Sequence, residues 1–344
     1  MWCCRSENKI ELFQMKKILS ITLLLHIVTS LFAVSVTITV HQSGYDNHSM
    51  LIQMQDNLAK VLTEINAAFN EKRDLRTAGL AMDEYAKKML VNIWSHTRFR
   101  CDDEEIVEEG LPLRSGMYLQ NIPYIITPED EGFSKEIVQF GSVEFNDKGI
   151  ISDFRFSLDV HTAAKFGECQ SVVEVERRMK ILKYVEHFRT AYCQKDMAYL
   201  RQVFSDDALI ITGNVVMAKS NDSNKSVAKI SYKKQGKEEY LSNLARAFAR
   251  NKYIEVKFQQ IGERGFQDDC GGITRSKNNP NIYGVTLFQE WRSSRYSDEG
   301  YIFLLWDFKD EEHPVIHLRT WQPEYIGGQK IKEEEIFSLS DFDL

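Results

Sequence analysis

NIYGVTLFQEWRSSRYSDEGYIFLLWDFKDEEHPVIHLRTWQP, residues Asn281–Pro323, is a run of three strand-like segments separated by two polar turns. Tyr283–Trp291, Tyr301–Phe308 and Val315–Trp321 are rich in aromatic and β-branched residues, and Ser293–Glu299 and Lys309–Pro314 supply the turns. Side chains alternate across a strand, so the turns set a register. One face then carries Leu287, Gln289, Trp291, Ile302, Leu304, Trp306, His317, Arg319 and Trp321, with Trp306 opposite His317. The other carries Phe288, Phe303, Leu305, Ile316 and Leu318, which is ordinary core material. Aromatic walls with a few convergent polar groups are the makeup of a small-molecule site. The candidate ligand-binding residues are therefore Gln289, Trp291, Trp306, His317, Arg319 and Trp321. Two plainer readings stand beside it. Trp and Arg also favour subunit or domain interfaces, and long side chains can simply cover apolar sheet surface.

Working outward, helices precede strands twice. Leu51, Leu58, Leu62, Ile65 and Phe69 recur at helical spacing, and a second helix is expected over Leu80–Trp94. Short strands are expected over Gly116–Leu119, Tyr124–Ile126, Ile137–Phe145 and Ile150–Leu158, the last two joined by an Asn146–Gly149 turn. The order then restarts. A capping box at Ser171 and Glu174 opens a helix whose buried stripe is Val172, Val175, Met179, Leu182, Val185, Phe188 and Tyr192. A short helix over Asp196–Phe204, a strand at Ala208–Thr212, a helix over Gly236–Asn251 and a strand at Tyr253–Ile261 lead back to the opening stretch. Lys219–Lys234 and Arg264–Pro280 are expected as long loops, and the segment after Pro323 as a loose strand or partner segment. The closing hairpins VEFNDKGIISDFRF and WDFKDEEHPVIHLRTW resemble each other, which indicates a tandem duplication. The fold class is α+β: two tandem cone-like domains, each with N-terminal helices packed on a curved antiparallel sheet. The divisions are 1–35 (upstream segment and signal peptide), 36–158, a linker 159–170, 171–323 and a tail 324–344.

The segment QKDMAYLRQVFSDDALI (residues 194–210), following a long helix and preceding curved strands, resembles the nuclear transport factor two-like, or SnoaL-like, superfamily. The resemblance covers about Ser171–Pro323; over Leu51–Leu158 it rests on element order and the final hairpin. It implies a bent sheet wrapped around helices with a cavity at the wide end. Members include ketosteroid isomerase, dehydratases, polyketide cyclases and non-enzymatic binding modules, so the fold does not choose a chemistry. The isomerase's oxyanion-donating tyrosine falls on Phe188 and its proton-abstracting aspartate on Thr212. Phe188 has no donor and Thr212 is no base near neutral pH, so this resemblance points away from that catalysis. The pair Asp206–Asp207 reads as a turn before a strand.

At 344 residues the chain has room for two cores, and its net charge of −7 argues against a nucleic-acid partner. Met15-Lys16-Lys17 followed by an apolar run reads as a signal peptide starting near Met15, cleaved after Ala33 or Ser35, with a secreted or periplasmic destination. A retained single-pass anchor is the rival, since Ile18–Val40 holds no charge. Cys101, Cys169, Cys193 and Cys270 form no CxxC pair or Cys/His cluster, so neither a metal nor a cofactor is expected. The functional expectation is an exported non-catalytic binding or interaction module. Its partner is a small molecule, a peptide, a second copy or another protein. The alternative is a dehydratase, cyclase or hydrolase using His317 and Arg319 in the same pocket.

Overall fold

The computed structural model describes residues 36–41, 48–96, 98–101, 103–113, 116–126, 137–158, 173, 175–219, 226–265 and 272–342. The expected signal peptide, the 159–170 linker and the Ser171–Glu174 capping box lie outside them. Among the described residues, no helix is long and apolar enough to cross a membrane.

The chain is α+β and builds two helix-and-sheet units. In the first, α1 (His48–Glu71) and α2 (Glu84–His96) pack on strands β1 (Thr37–His41), β2 (Phe99–Arg100), β3 (Glu105–Leu113), β4 (Gly116–Ile126), β5 (Ile137–Asn146) and β6 (Ile151–Phe156). The sheet runs β1-β3-β4-β5-β6, with β2 on β4; β1 lies parallel to β3 and the other pairs are antiparallel. Leu51, Met54, Leu58, Val61, Leu62 and Ile65 form the buried stripe of α1. Asp83 caps α2 by accepting from the Ala86 N–H at 2.8 Å. The Asn146–Gly149 turn forms as its residues require. The Asn146 side chain accepts from the Lys148 and Ile150 amides, and Gly149 takes a φ of +68°. The two short strands expected between Gly116 and Ile126 are one strand, broken in register between Leu119 and Ile122 where Asn121 has a positive φ.

The second unit comprises α3 (Val175–Cys193), α4 (Met197–Val203), β7 (Phe204–Lys219), β8 (Ser226–Gly236), α5 (Lys237–Arg250), β9 (Ile254–Gln259), β10 (Ile273–Arg275), β11 (Ile282–Ser293), β12 (Ser297–Asp307) and β13 (Val315–Pro323). Its sheet runs β10-β11-β12-β13-β7-β8 with β9 on β11. Three sequence expectations are corrected here. Lys219–Lys234 is largely not a loop: β8 continues a long ribbon with β7 from Leu209–Gly236 to Lys219–Ser226. Most of β8 is solvent-exposed, so backbone pairing rather than burial holds it, and burial periodicity could not reveal it. Within Arg264–Pro280, Ile273–Arg275 is an edge strand on β11. The segment after Pro323 is not loose. Ile331 and Ile336 pack on Phe288 and Tyr301, while Phe337, Leu339 and Phe342 cover Phe303, Leu305 and Leu318. Phe342 stacks on Phe303 at 5.6 Å. Gln322 fixes the segment by donating to the Glu335 carbonyl at 2.7 Å and accepting from the Phe337 amide at 2.8 Å.

Helix α3 is buried nearly all round, beyond the one stripe that helical spacing predicts. Leu182, Val185, Phe188 and Tyr192 join the apolar core, which runs without a break through both units. Its polar positions meet the first sheet. The Arg155 guanidinium, wholly buried, binds Glu186 at 2.8 Å, Asp153 at 2.9 Å and Glu144 at 2.9 Å. Glu186 also accepts from the Tyr118 hydroxyl and the Leu158 amide, each at 3.0 Å. Lys183 reaches Glu144 at 2.8 Å and His187 reaches Asp153 at 2.7 Å. Burial alone would raise the Asp153 carboxyl, but the adjoining His187 ring, which hydrogen-bonds it, and the Arg155 and Lys183 charges overcome that and hold the group well below the ordinary carboxylate range. Further along, Arg189 donates to the Ser157 carbonyl at 2.8 Å and the Val256 carbonyl at 2.6 Å, tying both units to one side chain.

Removing one partner from a buried charge network leaves the others desolvated and uncompensated. Arg155→Met should therefore cost about 3–5 kcal/mol, read as a lower urea midpoint with little change in slope.

Candidate functional site

The face of the second sheet turned toward α3 and α5 follows the alternation expected of it. Leu287, Ile302, Leu304 and Trp306 are core residues, and beyond them toward one end the face becomes polar. There a cavity of about 560 Å³ opens between β7, β11, β12, β13 and α5, well within the range of roughly 300–1,000 Å³ typical of small-molecule sites. Gln289, Trp291, Arg319 and Trp321 all line it.

Two of the proposed ligand residues are placed elsewhere. Trp306 is wholly buried, packed among Tyr184, Phe188 and Phe308. His317 is carried out of the site by a break in register. Leu305 pairs with Leu318 but Trp306 pairs with Ile316, so His317 is the extra residue of a β-bulge. The bulge moves Ile316 into the core on the helix side, against the face assigned to it from sequence. His317 instead lies half-buried between Asp207, at 3.3 Å, and Asp307, at 3.4 Å. An alternation rule has no means of seeing one inserted residue.

Arg319 is the centre of the cavity's electrostatics. Its residue is 6% exposed, and its guanidinium lies 5.5 Å from the Tyr240 ring centre on α5. One Nη donates to the Gln289 side-chain oxygen at 3.4 Å, a long contact. Its Nε is buried with no hydrogen-bond partner, as is the Trp321 indole N–H. Among the described residues Arg319 forms no salt bridge. The Tyr192 and Tyr240 hydroxyls lie 2.5 Å apart beside it. Trp291 meets the Tyr192 ring edge-on at 5.8 Å and forms an apolar wall.

Asp298 faces Trp291 across the β11–β12 pair. Burial raises its carboxyl above the ordinary range, against a hydrogen bond from Tyr296 at 2.8 Å and the more distant Arg319 charge. One of its oxygens is buried without a partner. Asp298, Tyr240, Asn243 and Tyr296 were not legible as site residues. Tyr240 and Asn243 come from α5, where they read as ordinary helix positions, Tyr296 from the β11–β12 turn and Asp298 from the start of β12. Of the two positions that the isomerase comparison singles out, Phe188 lies in the aromatic core and Thr212 lines the cavity. Cys101 and Cys193 are buried thiols away from it. Among the described residues, no cluster of three His, Cys, Asp or Glu could hold a metal ion.

No protein-family model and no curated protein matches this sequence. Solved structures similar to it include Bd1075 of Bdellovibrio bacteriovorus, with 16% identity over 44% of this chain and 43% of that one and a TM-score of 0.31. The chain thus spans less than half of Bd1075. An NTF-2-like protein of unknown function from Shewanella oneidensis shows 11% identity over 42% of this chain and 96% of that one, with a TM-score of 0.28. A candidate scytalone dehydratase from Novosphingobium aromaticivorans shows 10% identity over 45% and 88% of the respective chains, with a TM-score of 0.29.

Asp298 has a raised folded-state pKa, so the folded protein holds its proton more tightly than the unfolded chain does. Its contribution is therefore lost as pH rises from the ordinary carboxylate value through the folded one. Asp298→Asn should raise the melting temperature at neutral pH by a few degrees. The gain should close below about pH 4, where the unfolded carboxyl is protonated too. Calorimetric scans at several pH values check it.

Proposed function

We propose that the chain is an exported binding module whose second unit takes a small organic acid: a carboxylate on an aromatic or otherwise apolar frame. One observation carries the reading. A buried guanidinium with an unpartnered N–H lines an open cavity and, among the described residues, has no acidic counterpart in salt-bridge contact. Leaving a buried charge without a partner is costly, and a carboxylate supplied from outside meets the guanidinium fork with two parallel hydrogen bonds. Trp291, Trp321 and Tyr240 offer flat apolar surface for the rest of the ligand. The C-terminus of a peptide would present the same carboxylate. Export rests on Met15–Ser35, with its basic start and apolar run.

Catalysis through His317 finds no support, because that side chain lies outside the cavity between two carboxylates. An enzymatic reading is favoured instead by Asp298, a carboxyl of raised pKa bordering the cavity, which suits a proton acceptor. The binding reading has the stronger footing, since it needs only the buried Arg319 guanidinium and its unpartnered N–H, whereas the enzymatic one needs Asp298 to act as a base as well.

Thermal denaturation with benzoate, 2-naphthoate, indole-3-acetate and an acetylated aromatic dipeptide tests it. At least one should raise the melting temperature, its primary amide should not, and Arg319→Met or Trp291→Ala should remove the effect. No shift with any acid, or a shift surviving both substitutions, would sink the proposal. Turnover of a bound acid that disappears in Asp298→Asn would favour the enzyme.

A further inference from the structure

A second cavity, of about 370 Å³, lies at the junction of the two units. It is bounded by Tyr85 from α2, by Lys183, Tyr184 and His187 from α3, by Tyr199 and Gln202 from α4, and by the turn between β12 and β13. His187 is 3% exposed. Its Nε2 lies 2.7 Å from the buried Asp153 carboxylate, itself held by Arg155 at 2.9 Å. That carboxylate fixes the ring proton on Nε2 and leaves Nδ1 as an acceptor. Nδ1 is buried with no hydrogen-bond partner, and so is the Tyr199 hydroxyl. The Tyr85 and Tyr199 rings flank the imidazole at centroid distances of 6.2 and 6.1 Å.

Buried polar groups of this kind are ordinarily satisfied, and two of them unsatisfied on one cavity wall mark a place where something supplies the missing partners. The charge at the site narrows what that is. Lys183 is already bound to Glu144 and Asp153, at 2.8 and 3.3 Å, so it offers little to an anion. Glu312 on the facing turn opposes an anion further. A cation would find Glu312 in the lining, but with Lys183 in the same lining to oppose it. What remains is a neutral group with hydroxyls, one donating to His187 Nδ1 and one exchanging a hydrogen bond with Tyr199, on a ring small enough to lie against tyrosine faces. The geometry points to a sugar-class site: a mono- or disaccharide held between the two units by His187 and Tyr199, with Asp153 as the residue that positions the imidazole. It is separate from the cavity around Arg319.

The test is a saturation-transfer NMR titration of the full chain with D-glucose, D-galactose and sucrose. At least one should bind, and Tyr199→Phe should weaken it by about three- to tenfold, the worth of one hydrogen bond, without lowering the melting temperature. Tyr85→Ala should weaken the same sugar. Failure of all three sugars to bind, or a sugar bound equally well by both variants, overturns the proposal. A second measurement uses the unaltered protein: the His187 Nδ1 resonance in a long-range 1H–15N correlation spectrum. Bound sugar must shift that resonance, and an unchanged position at saturation would also overturn it.

Discussion

The contact of Arg155 with Glu186 is what makes one molecule of two units. A guanidinium from the last strand of the first sheet enters a wholly buried environment and meets a carboxylate from the first helix of the second unit. Neither charge survives there alone, because the cost of desolvating each is recovered only when the other is in place with its hydrogen bonds made. Asp153, Glu144, Lys183 and His187 extend the same logic outward, and Tyr118 and the Leu158 amide occupy the remaining lone pairs of Glu186. Such a network is a poor source of net stability. It is a strong selector of geometry, since any other docking of the two units would bury unmatched charges.

That constraint shapes both cavities. Helix α3 presents Phe188 and Tyr192 to the second sheet and Glu186, His187 and Arg189 to the first. In the first set, Tyr192 backs Trp291 and Tyr240, which wall the space around Arg319. The second brings His187 to the junction with its Nε2 already committed. The helix therefore has no solvent face to speak of, and its charged residues act as an interface.

How much of this was legible follows from which rule each residue obeys. Gln289, Trp291, Arg319 and Trp321 reached the cavity because plain alternation holds along β11 and the end of β13. His317 did not, because one bulged residue reverses the alternation before it. Glu186 and Arg189 follow a helical pattern that reads as a wet surface, and nothing local distinguishes a face wetted by water from one covered by another unit's ions. β8 was hidden for the opposite reason: it is a strand whose side chains face solvent, so it leaves no burial signal. Asp298 was hidden because Ser293–Glu299 reads as a turn, whereas β12 begins at Ser297 and sets Asp298 opposite Trp291; Tyr240 lies on a helix outside the stretch.

The covering of the second sheet's outer face by residues 331–342 places a condition on timing. The first strand of that sheet, β7, lies against its last, β13, and the layer over both comes from residues 337–342. A chain emerging from its N-terminus, whether from a ribosome or through a translocation pore, must carry Phe303, Leu305 and Leu318 uncovered until residues 337–342 have followed. The first unit has no such wait for its sheet, though its charges on Asp153 and Arg155 stay unmatched until α3 arrives. The second unit is thus the one exposed to premature association during synthesis.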